Sequence, residues 1–401
     1  MDSIQEMMKS LYHWINSSYK YKNSYFNSFK LKLIMFFKGC LALIFYRKNI
    51  SEPIECDVLL IHPSLKSYKQ GRKKKFINML KNKGLVVEEF IERKDKDIIF
   101  KRQFCKVEKI PFFFKWDAYH ASYILNKYRA KVILTERNGW VIPSFIKKLR
   151  GEGSIVVHMA HSIPTGQSSK YNYYDYDFYL LYGESSYVYL SSLNNCFGSC
   201  NVLFKGPYFF YSNRKYCRKH VGKSIVFLGS GPDYENNENY IKVCRWVEKL
   251  VENNIVDKLY LKGHPRSTDN RWLDFLEKNP EKVSIVSDDN LQDTIDNSVY
   301  AVMAYTNAIV DMAYYGVPII MMGESTDYFN LDSFYVPWAK NYSDLVSIVS
   351  SEYQQLNAEF ISYHVENPIN SSQSIVDFVT ELTINKNVLL ENVNKKLYSG
   401  F

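Results

Sequence analysis

The sequence predicts an α/β protein built from two successive Rossmann-like domains that face a central cleft. Three observations carry this reading. Short β-branched runs alternate with longer helical stretches, the series repeats after a basic, Gly-punctuated stretch at 216–223, and the length suits two bodies. The chain has 401 residues, room for two or three domains at roughly 150 residues each. Hydrophobic residues make up 46% and charged residues 23%. This excludes a disordered chain, a collagen-like repeat and a polytopic membrane protein.

Residues 1–50 read as a separate N-terminal element. Tyr12, Trp14, Tyr19, Tyr21, Tyr25, Phe26 and Phe29 interleave with Lys20, Lys22, Lys30, Lys32 and Lys38. Aromatic anchors among lysines suit a helix lying on an anionic membrane surface, and a helix pair packed on the first domain has the same pattern. The apolar run at 31–46 includes Lys32 and Lys38 and falls short of the roughly 20 residues needed to span a bilayer. Asp2 and Glu6 argue against a cleavable signal.

The first domain, 51–218, reads as a strand at 58–61 ended by His62-Pro63, then a basic helix at 72–83 closed by Gly84. A strand at 85–87, a helix at 118–129 and a strand at 131–135 follow. A helix at 142–149 and strands at 154–158 and 177–182 complete it. The second domain, 219–384, reads as a strand at 224–228, a helix at 239–253, a strand at 258–262 and a helix at 271–278. Strands at 283–286, 299–303 and 318–322 continue its sheet, with a helix at 308–315 before the last. A hinge is placed near residue 220, and 385–401 is left as a tail. Parallel sheets of this kind bind ligands beyond the carboxyl ends of their strands. No Gly-x-Gly-x-x-Gly follows a strand and no Walker A sequence occurs, which argues against dinucleotide oxidoreductases and P-loop NTPases.

Tyr 33, Phe 25 and Trp 6 bring the aromatic share to 16%, and Tyr suits surfaces part apolar and part wet. Lys+Arg 51 less Asp+Glu 42 gives +9, which favours anionic partners. Residues 1–50 hold eight of those cations and two of the acids, so they supply +6. The remaining body is nearly neutral and shows no nucleic-acid signature, so no nucleic-acid partner is expected. The 7 cysteines are scattered, as in a reducing compartment, and Cys196 and Cys200 lack a second pair to complete a zinc site.

The sharpest chemical signal is Lys262-Gly263-His264-Pro265-Arg266, directly after a strand. Cations projected from the carboxyl edge of a sheet, with Pro265 fixing the turn, suit a phosphate or pyrophosphate. Thr306 and Asn307 stand between the strand at 299–303 and the next helix, where N-capping residues and free amides also attract anions. These two motifs, with the helix end before Gly316-Val317-Pro318, resemble bacterial glycosyltransferases of the GT-B fold that build capsules and lipopolysaccharide. The sialyltransferase and related nonulosonate transferases and the CDP-glycerol glycerophosphotransferases are nearest in pattern.

The resemblance implies that His264 contacts the donor phosphate and Thr306 holds the nucleotide phosphate. It also implies an inverting transfer to a glycan acceptor, free or lipid-linked, with no cofactor and a nucleotide-sugar co-substrate, CMP-linked before others; the cations that already neutralise phosphate make a metal-independent transfer the expectation. The enzyme is then placed in the cytoplasm, at the inner face of the cytoplasmic membrane. A polyol-phosphate transferase using CDP-glycerol is the rival enzyme, and a scaffold of a synthesis complex is the non-enzymatic one.

Transfer needs a base for the acceptor hydroxyl. His161 ends a strand in a segment that resembles the histidine element of the glycerophosphotransferases. Asp233 and Glu235, after Gly229 and Ser230, stand where the sialyltransferases carry an acidic motif, and the two candidates rank level. Glu136 also ends a strand, with Arg137 beside it as an ion-pair partner. Asp175-Tyr-Asp177 matches a metal motif of other glycosyltransferases, but Asp177 opens a strand, and cations here already neutralise phosphate. The run at 72–75, all Arg and Lys, reads as the solvated face of its helix.

Overall fold

The computed structural model describes residues 2–18, 25–47, 50, 52–151, 153–164, 172–194, 196–209, 222–264, 267, 270–286, 294, 297–324, 336–351, 358–366, 370–385 and 395–398. The expected hinge near 220, Pro265 and Arg266 lie outside them. The chain divides into two units. One holds Met1–Pro164, Ser168–Tyr211 and Val365–Phe401, and the other Thr165–Gln167 and Ser212–His364. Residues 365–384, which the sequence groups with the second domain, belong by packing to the first unit.

The first unit begins with helices α1 (Asp2–Ser18) and α2 (Tyr25–Phe45). They are followed by β1 (Ile54–His62), α3 (Leu65–Lys69), α4 (Lys74–Asn82), β2 (Val87–Ile91) and α5 (Asp95–Phe100). Then come α6 (Lys115–Lys127), β3 (Tyr128–Thr135), α7 (Ile142–Leu149), β4 (Ile155–Met159), β5 (Phe178–Leu181), α8 (Glu184–Ser191) and β6 (Ser199–Phe204). In the second unit lie β7 (Ser224–Leu228), α9 (Glu238–Glu252), β8 (Lys258–Lys262), α10 (Arg271–Lys278) and β9 (Val283–Ile285). It continues with β10 (Tyr300–Met303), α11 (Ala308–Tyr314), β11 (Ile319–Met322), β12 (Trp338–Ala339), α12 (Tyr342–Ser350) and α13 (Ala358–His364). Finally α14 (Ser371–Ile384) and β13 (Lys395–Tyr398) return to the first unit.

The first sheet runs β13-β6-β5-β4-β3-β1-β2, with β13 antiparallel to β6 and every other pair parallel. The residues left as a tail therefore contribute its edge strand. Strands β4 and β5 are buried along their whole length, as parallel strands covered on both faces must be. At the opposite edge, β2 carries Glu88 and Glu89 half-buried between buried Val87 and Phe90. That half-buried pattern suits an edge strand, and the strand starts two residues later and ends four residues later than the expected 85–87. Phe76, Ile77 and Leu80 of α4 and Ile375, Val376 and Val379 of α14 pack on this sheet's core.

The second sheet runs β12-β11-β10-β7-β8-β9, all parallel. That is the 3-2-1-4-5-6 order of a Rossmann fold. Asn237 caps α9 by accepting from the Tyr240 amide, and Val243, Val247 and Leu250 lay the helix on the sheet. Strand order reverses between β1 and β3 in the first sheet and between β7 and β10 in the second. Ligands bind at such switch points, beyond the strands' carboxyl ends.

Helix α1 packs on the first unit. Leu11 and Trp14 are buried, and Trp14 lies 5.3 Å from Tyr173 and 6.4 Å from Phe197 between ring centroids. Among the described residues, no helix is long and apolar enough to cross a membrane.

Candidate functional site

In the first unit, the carboxyl ends of β1, β2, β3 and β4 bring a set of ionisable side chains to one edge. Glu136, the residue after β3, is buried. Lys73 forms an ion pair with its Oε1, Tyr208 donates to Oε2 at 3.0 Å, and Ser67 Oγ lies 3.4 Å from Oε1. Burial by itself raises the Glu136 pKa. The charge and hydrogen bond of Lys73, with help from His161 and Tyr208, outweigh burial and hold the carboxyl below its usual range.

Lys73 is buried at 3% exposure. The 72–75 run is thus not a uniformly solvated face, because its second residue turns inward to a carboxylate. The partner expected for Glu136 also differs. Arg137 reaches across to Glu92 instead, donating from Nη1 to Oε1 at 2.9 Å.

His161 lies two residues beyond β4. More than a third of its surface meets solvent, yet the protein packed around it lowers its pKa, and Lys73 adds to this while Glu136 opposes it. The imidazole is therefore neutral at pH 7 and able to take a proton. His158, inside β4, is a structural histidine. Its Nε2 donates to Asn138 Oδ1 at 2.9 Å, its ring stacks on Tyr176, and burial holds it well below its usual pKa.

Sequence reasoning missed three members of this cluster. His62 ends β1, and its Nε2 lies 2.7 Å from Glu89 Oε2. Burial lowers its pKa against the pull of Glu89, so the imidazole itself is uncharged at pH 7 and Nε2 donates to the Glu89 carboxyl. Glu92 follows β2, and burial pushes its pKa up to about 7 despite Arg137. Tyr208 is fixed at its backbone, whose carbonyl accepts from Ser372 Oγ of α14 at 2.7 Å. Position at strand ends was the available signal for His62 and Glu92; nothing in the sequence marks Tyr208.

In the second unit, the loop after β7 holds Gly229, Ser230, Asp233 and Glu235. The Gly229 amide donates to the Lys262 carbonyl at 2.9 Å. A Cβ on Gly229 would stand 3.3 Å from that oxygen and 3.4 Å from the His264 nitrogen. The absence of a side chain at Gly229 lets the β7 loop lie closely against the Lys262–His264 turn, where a Cβ would be a tight fit. Ser230 and Glu235 are buried, and the Ser230 hydroxyl and Glu235 Oε1 make no hydrogen bond among the described residues. Buried polar atoms without partners are uncommon and mark places where a ligand can bind. Asp233 is exposed.

Tyr234 stacks on Tyr305 at 4.8 Å between centroids, joining this loop to the turn that carries Thr306 and Asn307. Asn239 donates to the Tyr305 hydroxyl at 2.5 Å and accepts from the Glu324 amide at 2.9 Å, which ties in the end of β11. Thr306 is buried, and its hydroxyl accepts from the Ala308 amide, the first of the short helix α11, at 3.3 Å, while the N-cap position itself is Asn307. Lys262, His264, Thr306, Asn307, Gly229, Ser230, Asp233 and Glu235 thus meet along one sheet edge. His161 and Glu136 belong to the first unit.

Asp175 and Asp177 precede β5, at the opposite edge of the first sheet. Asp175 pairs with Lys147 at 2.5 Å, and Asp177 pairs with Arg150 while accepting from the Val156 amide at 2.7 Å. Cys196 and Cys200 are buried free thiols, and no cluster of metal-ligating side chains occurs among the described residues.

No protein-family model and no curated protein matches the chain. Among solved structures, it is similar to the MnaA-UDP co-structure from S. aureus, at 9% identity and a TM-score of 0.53, over 86% of this chain and 99% of that one. It is also similar to the UDP-GlcNAc 2-epimerase from Neisseria meningitidis bound to UDP-GlcNAc, at 9% identity and a TM-score of 0.51, over 81% of this chain and 100% of that one. Likeness at this identity shows the fold: the chain is an α/β protein of two Rossmann-like domains, of the GT-B type.

Proposed function

We propose that the protein is an inverting glycosyltransferase of bacterial surface-polysaccharide assembly, which moves a sugar from a nucleotide-sugar donor to a glycan acceptor. The observation that carries this reading is His161, a solvent-reaching, neutral imidazole at the carboxyl edge of the first sheet, beside the Glu136 and Lys73 pair. Nucleotide-sugar use is supported by the names of the fold neighbours, which bind UDP and UDP-GlcNAc. The donor in this reading is a CMP-linked nonulosonate, as the resemblance implies.

His161 takes the proton of an acceptor hydroxyl, whose oxygen attacks the anomeric carbon as the bond to the donor phosphate breaks. Lys262, His264 and the Thr306 turn, taken within the second unit by itself, offer the cations and free amides suited to a nucleotide phosphate. Glu136 is a poor base, because Lys73 and Tyr208 occupy both its oxygens. Its role is to position Lys73 and bias His161. Glu235, whose Oε1 has no hydrogen-bond partner among the described residues, is the second candidate base. The reaction is metal-independent in this reading.

The test is nucleotide release by the full chain from CMP-sialic acid, CDP-glycerol and UDP-GlcNAc, each with and without a glycan acceptor. Acceptor-dependent release of CMP from CMP-sialic acid supports the reading, and CMP release from CDP-glycerol favours the polyol-phosphate rival. Conversion of UDP-GlcNAc with no nucleotide freed sinks the transferase proposal.

A further inference from the structure

Helix α2 is apolar on two opposite sides, and only one of them is covered. Leu31, Met35 and Ala42 are buried, and Gly39 lies so close to the next segment that a Cβ would meet the Phe112 carbonyl at 2.7 Å. On a helix of about 3.6 residues per turn these four make one narrow stripe. Phe29, Leu33, Phe36, Phe37 and Ile44 fall on the opposite side, within an arc of about 100°. Their exposures run from 44% to 68%. Phe36 also meets Phe112 in a tilted ring contact at 5.1 Å between centroids, which carries the apolar surface on to Phe113, itself 40% exposed.

A helix that is apolar all round is ordinarily buried in a core or in lipid, and a contiguous outer stripe of this size marks an interaction surface. Charge identifies the partner. Lys30 and Lys32 are exposed and flank the stripe on its two sides, the arrangement in which ammonium groups reach headgroups while the apolar face enters the acyl boundary. Lys38 pairs with Asp95 at 2.8 Å, so it holds α2 to the body and stands outside that pattern. Helix α1 contributes little, because Trp14 and Leu11 face inward.

We infer that the outer stripe of α2 is a docking surface for an anionic lipid bilayer, on which the chain lies without crossing. The inference does not depend on the identity of the donor. Flotation of the full chain with vesicles containing about 30% phosphatidylglycerol, against vesicles of phosphatidylcholine alone, tests it. The wild type is expected to float with the anionic vesicles and to detach as salt rises. A Leu33→Ser, Phe37→Ser double variant is expected to bind at least roughly tenfold less, with an unchanged melting temperature because both side chains are exposed. A Lys30→Gln, Lys32→Gln variant is expected to lose about 20-fold on anionic vesicles alone. Wild type that stays in solution, or serine variants that float equally well, overturn the inference. So does a vesicle-free dimer that the serine substitutions dissociate, since the stripe would then bind a second copy.

Discussion

Lys73, just before α4, and Glu136, just after β3, form an ion pair in which the side chains are 3% and 8% exposed. Burying two charges is costly, and removing one partner leaves the other uncompensated. Lys73→Met is expected to destabilise the protein by about 3 kcal/mol in urea unfolding, whereas the Lys73→Met, Glu136→Gln double variant recovers most of that loss. Additive effects in the cycle would show that the pair is not coupled.

The base assignment makes a pH prediction. His161 has its pKa lowered, mainly by the protein packed round it, so it is deprotonated at neutral pH and protonated only below about 6.5. A base must be deprotonated to act. Therefore kcat/KM is expected to be level near pH 7 and to fall about tenfold per unit once pH drops below the His161 pKa. His161→Gln should cost on the order of 100-fold in turnover with donor affinity retained, and should remove that acidic limb. Survival of the limb in His161→Gln, together with a comparable loss in Glu235→Gln, would move the role to the second unit.

Much of this arrangement was legible in the sequence because parallel strands covered on both faces are short, continuous apolar runs. Those at 224–228 and 258–262 and the helices at 142–149 and 271–278 fall where periodicity puts them. What failed was tertiary. The β2 edge strand tolerates Glu88 and Glu89 where a central strand would not, so its end was misplaced, and Glu89 and Glu92 were not recognised as strand-end acids. Lys73 looks like its neighbours in a basic run; only the fold turns it inward. The return of α14 and β13 to the first unit depends on contacts far apart in sequence, such as Ser372 to Tyr208, for which local pattern carries no signal.

Asp175 and Asp177 provide a test of metal independence. Their oxygens face Lys147, Arg150 and the Val156 amide at the amino edge of the sheet, away from the candidate bases. Asp177→Asn should lower stability by roughly 1–3 kcal/mol through loss of a charge-assisted network, while activity per folded molecule stays within about twofold. EDTA should leave turnover unchanged. Activity abolished by EDTA and restored by Mn²⁺ or Mg²⁺ would refute metal independence. A loss of activity in Asp177→Asn without a loss of stability would separately give this carboxylate a chemical role.

Glu92 makes the sharpest stability prediction. Its Oε1 accepts from Arg137, its Oε2 is buried without a hydrogen bond among the described residues, and burial pushes its pKa up to about 7 from 4.5. A carboxyl whose pKa is raised by folding prefers to be neutral in the folded state. Relative to a neutral side chain it costs nothing below the unfolded value, and the cost grows as pH rises from there toward 7 and is fully present above it. The shift corresponds to about 3 kcal/mol at pH 8. Glu92→Gln keeps an oxygen for Arg137 and carries no charge. It should therefore be more stable than wild type at pH 8 by up to that amount, and nearly equal to it at about pH 4.5. Urea unfolding of both proteins at the two pH values measures the gap directly. A gap that does not change with pH would mean that Glu92 is hydrated enough to ionise normally and that its burial carries no energetic weight.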